Sequence, residues 1–240
     1  MAPAPGLSHN RGRDRPPGTI MHVNPPRTLE DSEVLMLDMD GTVLDLAYDN
    51  FMWLDLIPSV YARLNDLAPD AARDELFGQY RKHQGSLEWY CLDHWSERLK
   101  LDVQALHREH RSRIGYLPGA REFLDTVSGT GRRLLLVTNS HRDTLDLKSE
   151  VTGLESYFDA IYSAHDVGFP KESAAFWQSL HAREGFDPEK ALFIDDTLPV
   201  LHSARNYGIR RLLNITRPDT SKPARTALDV PGIEGLGDLA

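Results

Sequence analysis

The residues best suited to chemistry in this chain lie in VLMLDMDGTVLDL, residues 34 to 46, where the apolar run Val34 to Leu37 delivers Asp38 and Asp40, then Gly41 and Thr42. The run predicts a buried strand, and open α/β sheets bind ligands just beyond the carboxyl ends of their strands. In extended backbone residues i and i+2 point the same way, so Asp38 and Asp40 face one pocket while Met39 turns aside. Gly41 lets the chain turn sharply straight afterwards. Two carboxylates this close oppose each other's ionisation, which raises one pKa and favours a bound cation. Such a pair suits phosphoryl transfer, with one carboxylate attacking while the other carries a proton. An ordinary Asp-Gly turn is the competing reading of this segment taken alone.

Three more strand ends supply polar groups. Thr138-Asn139-Ser140 follows the apolar run LLLV, where a hydroxyl and backbone N–H groups at a strand-to-helix turn can hold phosphate oxygens. Lys171, in GFPKES, is fixed by Pro170 just before a helix and offers a point charge to a phosphoryl group. The apolar stretch LFI runs into Asp195 and Asp196, a pattern that fits a hard-cation ligand. Singly, these read as a loop, a solvated lysine and a helix N-cap. In combination they describe a hydrolase. Unaided cleavage of phosphate monoesters is extremely slow, so a site must attack phosphorus, neutralise charge and protonate the leaving oxygen. A carboxylate nucleophile does this through an aspartyl-phosphate, and Mg²⁺ accepts all-oxygen ligands while keeping several waters.

These groups need a scaffold, and its pattern is visible. Outside residues 46 to 116, strand-like runs at 34–38, 132–138, 160–164, 190–195 and 210–216 alternate with helical patterns around 119–128, 142–152, 173–184 and 198–207. Gly153, Gly185 and Gly208 stop three of those helices. Such alternation predicts an α/β fold, a mainly parallel sheet with helices on both faces. Residues 46 to 116 are helical throughout and follow the Asp38 strand directly, which places them over the site. In the third helix of this insertion Leu87, Tyr90, Cys91, His94, Trp95 and Arg98 share one packing face, with Trp89 on roughly the opposite side.

The boundaries that follow are a disordered tail over 1–30, a catalytic core over 31–45 and 117–216, a helical cap over 46–116 and a C-terminal loop segment over 217–240. Met21 heads MHVNPPRTLE and is the expected start of the functional chain. With 36 acidic against 27 basic side chains and a formal charge of −9, the chain is a poor partner for nucleic acid. No apolar run is long enough to span a membrane, and no obligate protein partner is evident. Cys91 is the single cysteine, which excludes an intramolecular disulfide and fits a cytoplasmic protein.

The order Asp-x-Asp-Gly-Thr, Thr-Asn, Lys, Asp-Asp resembles the haloacid dehalogenase superfamily of phosphatases over about residues 30 to 216. The resemblance implies a Rossmann-like core with an inserted helical cap, Asp38 as nucleophile and Asp40 as general acid and later base. It implies phosphate binding by Thr138 and Asn139, and Lys171 steadying both the nucleophile and the phosphoryl group. It also implies Mg²⁺ held by Asp38, Asp196 and the Asp40 carbonyl oxygen, with Asp195 supporting or sharing that role. The longer stretches DMDGTVLDLAYDNFMW and EWYCLDHWSERLKLD, together with GFPKES and LFIDD, are similar to bacterial GMP/IMP nucleotidases. That similarity implies a small phosphomonoester substrate, a purine nucleoside 5′-monophosphate. Sugar phosphates or phosphoglycolate are the alternative substrates, and hydrolytic dehalogenation the more distant rival.

Selectivity then falls to cap groups: Asn50, Trp53, Arg81, Lys82, His83, Trp89 and Tyr90, with His141 next to the presumed phosphate loop. His107 and His110, one helical turn apart, read as part of a solvated, charge-rich face.

Overall fold

The computed structural model describes residues 25–226 and 229–239. Their order is α1 (Pro25–Glu30), β1 (Val34–Leu37), α2 (Ala47–Asn50), α3 (Ile57–Leu64), α4 (Pro69–His83), α5 (Leu87–Tyr90), α6 (Leu92–Leu99), α7 (Val103–Glu109) and α8 (Ala120–Val127). Then come β2 (Arg133–Thr138), α9 (Arg142–Thr152), β3 (Ala160–Ser163), α10 (Ala164–Val167), α11 (Ala174–Glu184), β4 (Ala191–Asp195), α12 (Leu198–Tyr207), β5 (Arg211–Ile215) and β6 (Gly232–Ile233).

The strands form one parallel sheet in the order β3-β2-β1-β4-β5-β6. This is the Rossmann-like order, and its direction reverses between β1 and β4, where a crevice opens beyond the strand ends. Side chains alternate between two buried layers because successive strand residues face opposite ways. Leu35, Leu37, Leu134, Leu136, Leu192 and Ile194 pack one face with Phe123, Leu124 and Leu145. Met36, Leu135, Val137 and Phe193 pack the other with Phe176, Trp177, Leu180 and Leu201. Burial on both faces explains why β1 and β4 read as continuous apolar runs.

Between β1 and α8 the chain is helical. The helix begun at α2 continues through a π-helical segment, Phe51–Leu56, into α3 with helical backbone angles throughout. These helices enclose a separate apolar cluster of Ile57, Leu76, Tyr80, Leu92, Trp95, Leu99, Leu101 and Val103. The segment rests on the core through a bridge between Leu44 and Tyr116. The single helix expected across Leu87 to Arg98 is broken. Cys91 has extended backbone (φ −85°, ψ 114°), ending α5 and capping α6, so the buried face of α6 is Leu92, Trp95 and Leu99.

Both chain ends correct the sequence reading. Residues 1–24 of the expected tail lie outside the described residues, but Pro25–Glu30 is helical and Leu29 is buried in the same cluster as Leu236 and Leu239. The segment 217–240, expected to be surface loop, adds β6 to the sheet edge: the Asn214 N–H donates to the Pro231 carbonyl and the Thr216 N–H to the Ile233 carbonyl, both at 2.8 Å. Val230, Ile233, Leu236 and Leu239 recur every third residue and all are buried. That burial offsets the turn-forming Pro and Gly residues between them.

The C-terminal segment is docked through a close backbone contact. Gly119 has φ +76°, and a Cβ there would lie 2.7 Å from the Gly237 Cα. Gly153 has a similar φ of +72° but open space around it. Gly153→Ala should therefore cost about 1 kcal/mol from backbone strain alone, and Gly119→Ala at least about 2 kcal/mol, as measured by urea unfolding. Equal losses in the two variants would mean that the C-terminal contact contributes nothing.

Candidate active site

The crevice at the sheet's reversal is lined by Asp38, Asp40, Thr138, Asn139, Lys171, Asp195 and Asp196, every core residue singled out from sequence. Asp38 and Asp195 terminate adjacent parallel strands, and the Asp38 N–H donates to the Ile194 carbonyl at 3.0 Å. The turn after Asp40 depends on Gly41, which has φ +86°; a Cβ there would stand 2.9 Å from both the Asp196 Cγ and the Pro218 Cβ. Any side chain would push into the acidic pair, so this glycine is required by close approach as well as by backbone angle.

Lys171 is the hub. Its buried ammonium donates to Asp38 Oδ1, to Asp195 Oδ2 at 2.8 Å and to the Val137 carbonyl at 3.0 Å. The backbone of Lys171 is fixed as well: its N–H donates to Asn139 Oδ1 at 2.8 Å, and its carbonyl accepts from Trp177 Nε1 at 2.8 Å. Burial alone would depress this lysine's pKa, but Asp195 and Asp38 outweigh it and hold the pKa above the ordinary value. Asp38 itself is pushed up, chiefly by burial, against the pull of Lys171.

Asp40 has a different partner, one that sequence reasoning did not find. Lys148 on α9 donates to Asp40 Oδ1 at 2.6 Å and to both oxygens of Asp49, at 2.8 and 2.9 Å. The lysine is buried, so its charge is satisfied entirely by these two carboxylates. Burial and the neighbouring Asp49 raise the pKa of Asp40 to about 6, against the opposing effect of Lys148. Lys148 lies three and four residues beyond the buried Leu145 and Thr144, on the inward stripe of α9; that spacing was the available signal.

Asp38, Asp195 and Asp196 bring carboxylate oxygens within 4.8 Å of one another. Asp195 uses both oxygens internally, accepting from Lys171 and, at 2.7 Å, from the Thr197 N–H. Asp196 accepts from the Thr197 hydroxyl at 3.0 Å and from the half-exposed Arg225 at 3.3 Å. Its pKa rises to about 7, first from burial and then from the Asp195 charge. A crowded all-oxygen set of this kind fits Mg²⁺.

Above the carboxylates the cleft continues into the helical segment and encloses about 290 Å³. Its walls there include Trp53, Tyr80, Trp89 and Trp95, whose rings meet edge to face with centroids 5.0–6.2 Å apart. Of the selectivity candidates, Asn50, Trp53, Trp89, Tyr90 and His141 line the cleft. Arg81 and Lys82 are exposed on α4 instead, and His83 packs on His94 and Trp95. Tyr90 reaches the core, donating to Glu172 Oε1 at 2.8 Å, while Asn139 Nδ2 donates to the other oxygen of Glu172 at 3.0 Å.

His107 corrects the sequence reading. It is buried and lines the cleft, while His110 packs on Phe51. α7 turns His107 inward alongside Val103, one helical turn away, and Tyr48 holds its Nδ1 at 2.8 Å. Burial and Lys148 drop its pKa to about 3, so it is neutral, and its Nε2 has no hydrogen-bond partner.

Similarities to known proteins run along the same residues. The sequence pattern of the haloacid dehalogenase-like hydrolases matches residues 35–213. The GMP/IMP nucleotidase YrfG of Escherichia coli (strain K12) is 38% identical over 200 residues, covering 83% of this chain and 89% of that protein. The phosphoglycolate phosphatase of Agrobacterium fabrum is 26% identical over 185 residues, 74% of this chain and 78% of that protein. Among solved structures, the HAD phosphatase from Thermococcus onnurineus superposes with a TM-score of 0.71 at 23% identity, covering 86% of this chain and 95% of that one. The L-2-haloacid dehalogenase from Xanthobacter autotrophicus superposes with a TM-score of 0.58 at 17% identity, covering 87% and 96%. At those identities the two structures establish the fold alone.

The raised pKa of Asp196 makes a stability prediction. A carboxyl whose folded pKa lies above its unfolded value destabilises the fold once it ionises, so the effect is absent near pH 4 and complete above pH 7. In chelator-treated protein, Asp196→Asn should exceed the parent in stability at pH 8 by on the order of 2 kcal/mol, the gap closing toward pH 4. Added Mg²⁺ should stabilise the parent and leave the variant's melting temperature unchanged. A gap independent of pH, or equal Mg²⁺ responses, would refute the assignment of strain to this carboxylate.

Proposed function

The chain belongs to the haloacid dehalogenase-like hydrolases, and from that premise we propose that it is a Mg²⁺-dependent nucleotidase removing the 5′-phosphate from GMP and IMP. It is a phosphoric monoester hydrolase. The substrate class rests on the 38% identity to a GMP/IMP nucleotidase over most of both chains, and on the aromatic end of the cleft. Flat bases stack on such walls.

The single observation that carries the chemistry is the division of the two lysines. Lys171 holds one oxygen of Asp38 and leaves the other free to attack phosphorus, while Lys148 holds Asp40 two residues away. The attack forms the aspartyl-phosphate on Asp38, and the ester oxygen leaves with the proton of Asp40. Asp40 then takes a proton from water as that water attacks the phosphorus, releasing phosphate and restoring Asp38. A pKa of about 6 suits a group that must give and then regain a proton near neutrality. Thr138 and the backbone N–H groups of the loop after β2 bind phosphate oxygens. Asp38, Asp196 and the Asp40 carbonyl oxygen would hold Mg²⁺, which when bound neutralises charge between the nucleophile and the phosphoryl oxygens. Asp195, with both oxygens engaged, positions Lys171. The helical segment acts as the cap and supplies selectivity.

No helix among the described residues is long and apolar enough to cross a membrane. A small phosphomonoester as partner, and a cytoplasmic setting, are part of the same proposal.

Phosphate release from GMP, IMP, sugar phosphates and phosphoglycolate with Mg²⁺ tests the substrate; GMP and IMP should give the highest kcat/KM. Preference for a sugar phosphate or phosphoglycolate would remove the nucleotidase reading and keep the phosphatase. Asp38→Asn should lose at least about 10³-fold in kcat and Asp40→Asn about 10²–10⁴-fold. Rapid quench with radiolabelled substrate should trap label on the parent protein and none on Asp38→Asn. Lys148→Met removes the charge that lowers the Asp40 pKa, so the basic limb of its kcat/KM profile should move to higher pH; an unmoved limb would show that Asp40 is not the acid.

A further inference from the structure

A second cluster of metal-ligating groups lies where the helical segment meets the core, and the proposed chemistry does not use it. Cys91 stands at the break between α5 and α6, His141 caps the start of α9 after β2, and His165 lies on α10 after β3. One ligand atom from each falls within 4.8 Å of the others. Three separate elements thus bring together a thiol and two imidazoles.

The imidazoles are unsatisfied. His141 Nδ1 and both ring nitrogens of His165 are buried without a hydrogen-bond partner. The Asp143 carboxylate stands 3.7 Å from His141 Nδ1, too far for a hydrogen bond, and accepts from Gln104 instead. Burial and the neighbouring His141 push the pKa of His165 down, against the Leu87 carbonyl and Asp166. The two rings pack edge to face with centroids 4.8 Å apart. Nitrogens buried without a well-formed hydrogen bond are unfavourable, whereas ligation would satisfy them.

We propose that Cys91, His141 and His165 form a soft-metal site, distinct from the carboxylate set, which binds Zn²⁺ or a similar borderline ion and ties the helical segment to the core. A thiolate with two imidazoles selects against Mg²⁺, which takes oxygen ligands. Tetrahedral Zn²⁺ separates such ligand atoms by about 3.4–3.6 Å, so side-chain rotations of about an ångström complete the site. Binding releases the Cys91 thiol proton to solvent and leaves a fourth position for water. The occupied site pins Cys91, at the cap's helix break, to His141 at the rim of the cleft.

Co²⁺ is the probe, because only a thiolate ligand gives it an intense charge-transfer band in the near ultraviolet. Full-length protein, stripped by chelator and then supplied with excess Mg²⁺ to fill the oxygen site, should take up one equivalent of Co²⁺ with that band, and Zn²⁺ should displace it. Cys91→Ser should show no band. His165→Gln should weaken Co²⁺ binding by more than about 100-fold, beyond what losing a merely supporting group costs. Thermal unfolding without cobalt confirms that each variant is folded, and the variants are independent, so one folded variant suffices. Absence of the band in the parent protein, or a His165→Gln titration superimposable on the parent's, would overturn the site. Neither result bears on phosphate release, so the proposed function stands or falls separately.

Discussion

The fold of this site turns on one electrostatic constraint: carboxylates converge at the ends of two adjacent parallel strands, and their charge must be balanced without water. Asp38, Asp40, Asp49, Asp195 and Asp196 line the cleft. Buried Lys171 and Lys148 answer four of them, Lys171 between Asp38 and Asp195, Lys148 between Asp40 and Asp49. Asp196 has the half-exposed Arg225 as its ion-pair partner among the described residues, with Lys171 acting at longer range. The excess is negative, and a phosphomonoester would bring more negative charge. On the proposed reading, divalent cation binding would reconcile a stable fold with an anionic substrate. The two ammonium groups would set where such a cation acts, because each occupies carboxylate oxygens that could otherwise be ligands. Neither lysine can be removed cleanly, since an orphaned buried carboxylate is costlier than a lost pair is valuable.

The same pairs join the helical segment to the core. Asp49 comes from α2 and Lys148 from α9, so the ion pair that tunes Asp40 also bridges the inserted helices and the sheet layer. Tyr90 meets Asn139 through Glu172, linking α5 to the loop after β2. Asn50 donates to Asp219 at 2.6 Å, linking α2 to the segment after β5. Each contact ends on a residue that lines the cleft or touches one that does. Position of the helical segment and protonation of Asp40 are thus not independent: separating Asp49 from Lys148 would change the field at Asp40.

Much of this was legible in the sequence because both strand ends change abruptly from apolar to acidic. VLML into Asp38 and LFI into Asp195 fix which end of the sheet is the working end, and the alternation of elements gives the sheet order its likeness to other doubly wound folds. What could not be read were residues whose chemistry runs against their type. Lys148 and His107 are ordinarily solvated, and their polar neighbours hid the helical spacing that turns them inward. The α5–α6 break was invisible because the apolar period of Leu87, Tyr90, Cys91 and His94 continues through it; only backbone geometry shows that Cys91 is extended. Short edge strands are equally hard to see, and β6, two residues bounded by Pro231 and Glu234, carries too little pattern to register.

The cleft's upper half sets a final constraint. Trp95 and Tyr80 are buried, and Trp53 and Trp89 pack edge to face against them, so the aromatic wall is fixed before any ligand arrives. A rigid wall needs no ordering of side chains when a flat ring binds, which keeps the entropy loss small. On the proposed reading, selection among flat rings would rest on the few polar groups beside that wall, Asn50 and His141 among the lining residues. A hydrophobic slot alone discriminates weakly, whereas a buried polar group left unpaired by the wrong ligand discriminates strongly. Tyr48, packed in the sheet-side apolar cluster, fixes the orientation of the His107 ring. On the proposed reading, substrate choice lies with the packing of the insertion and the chemistry with the strand ends beneath it.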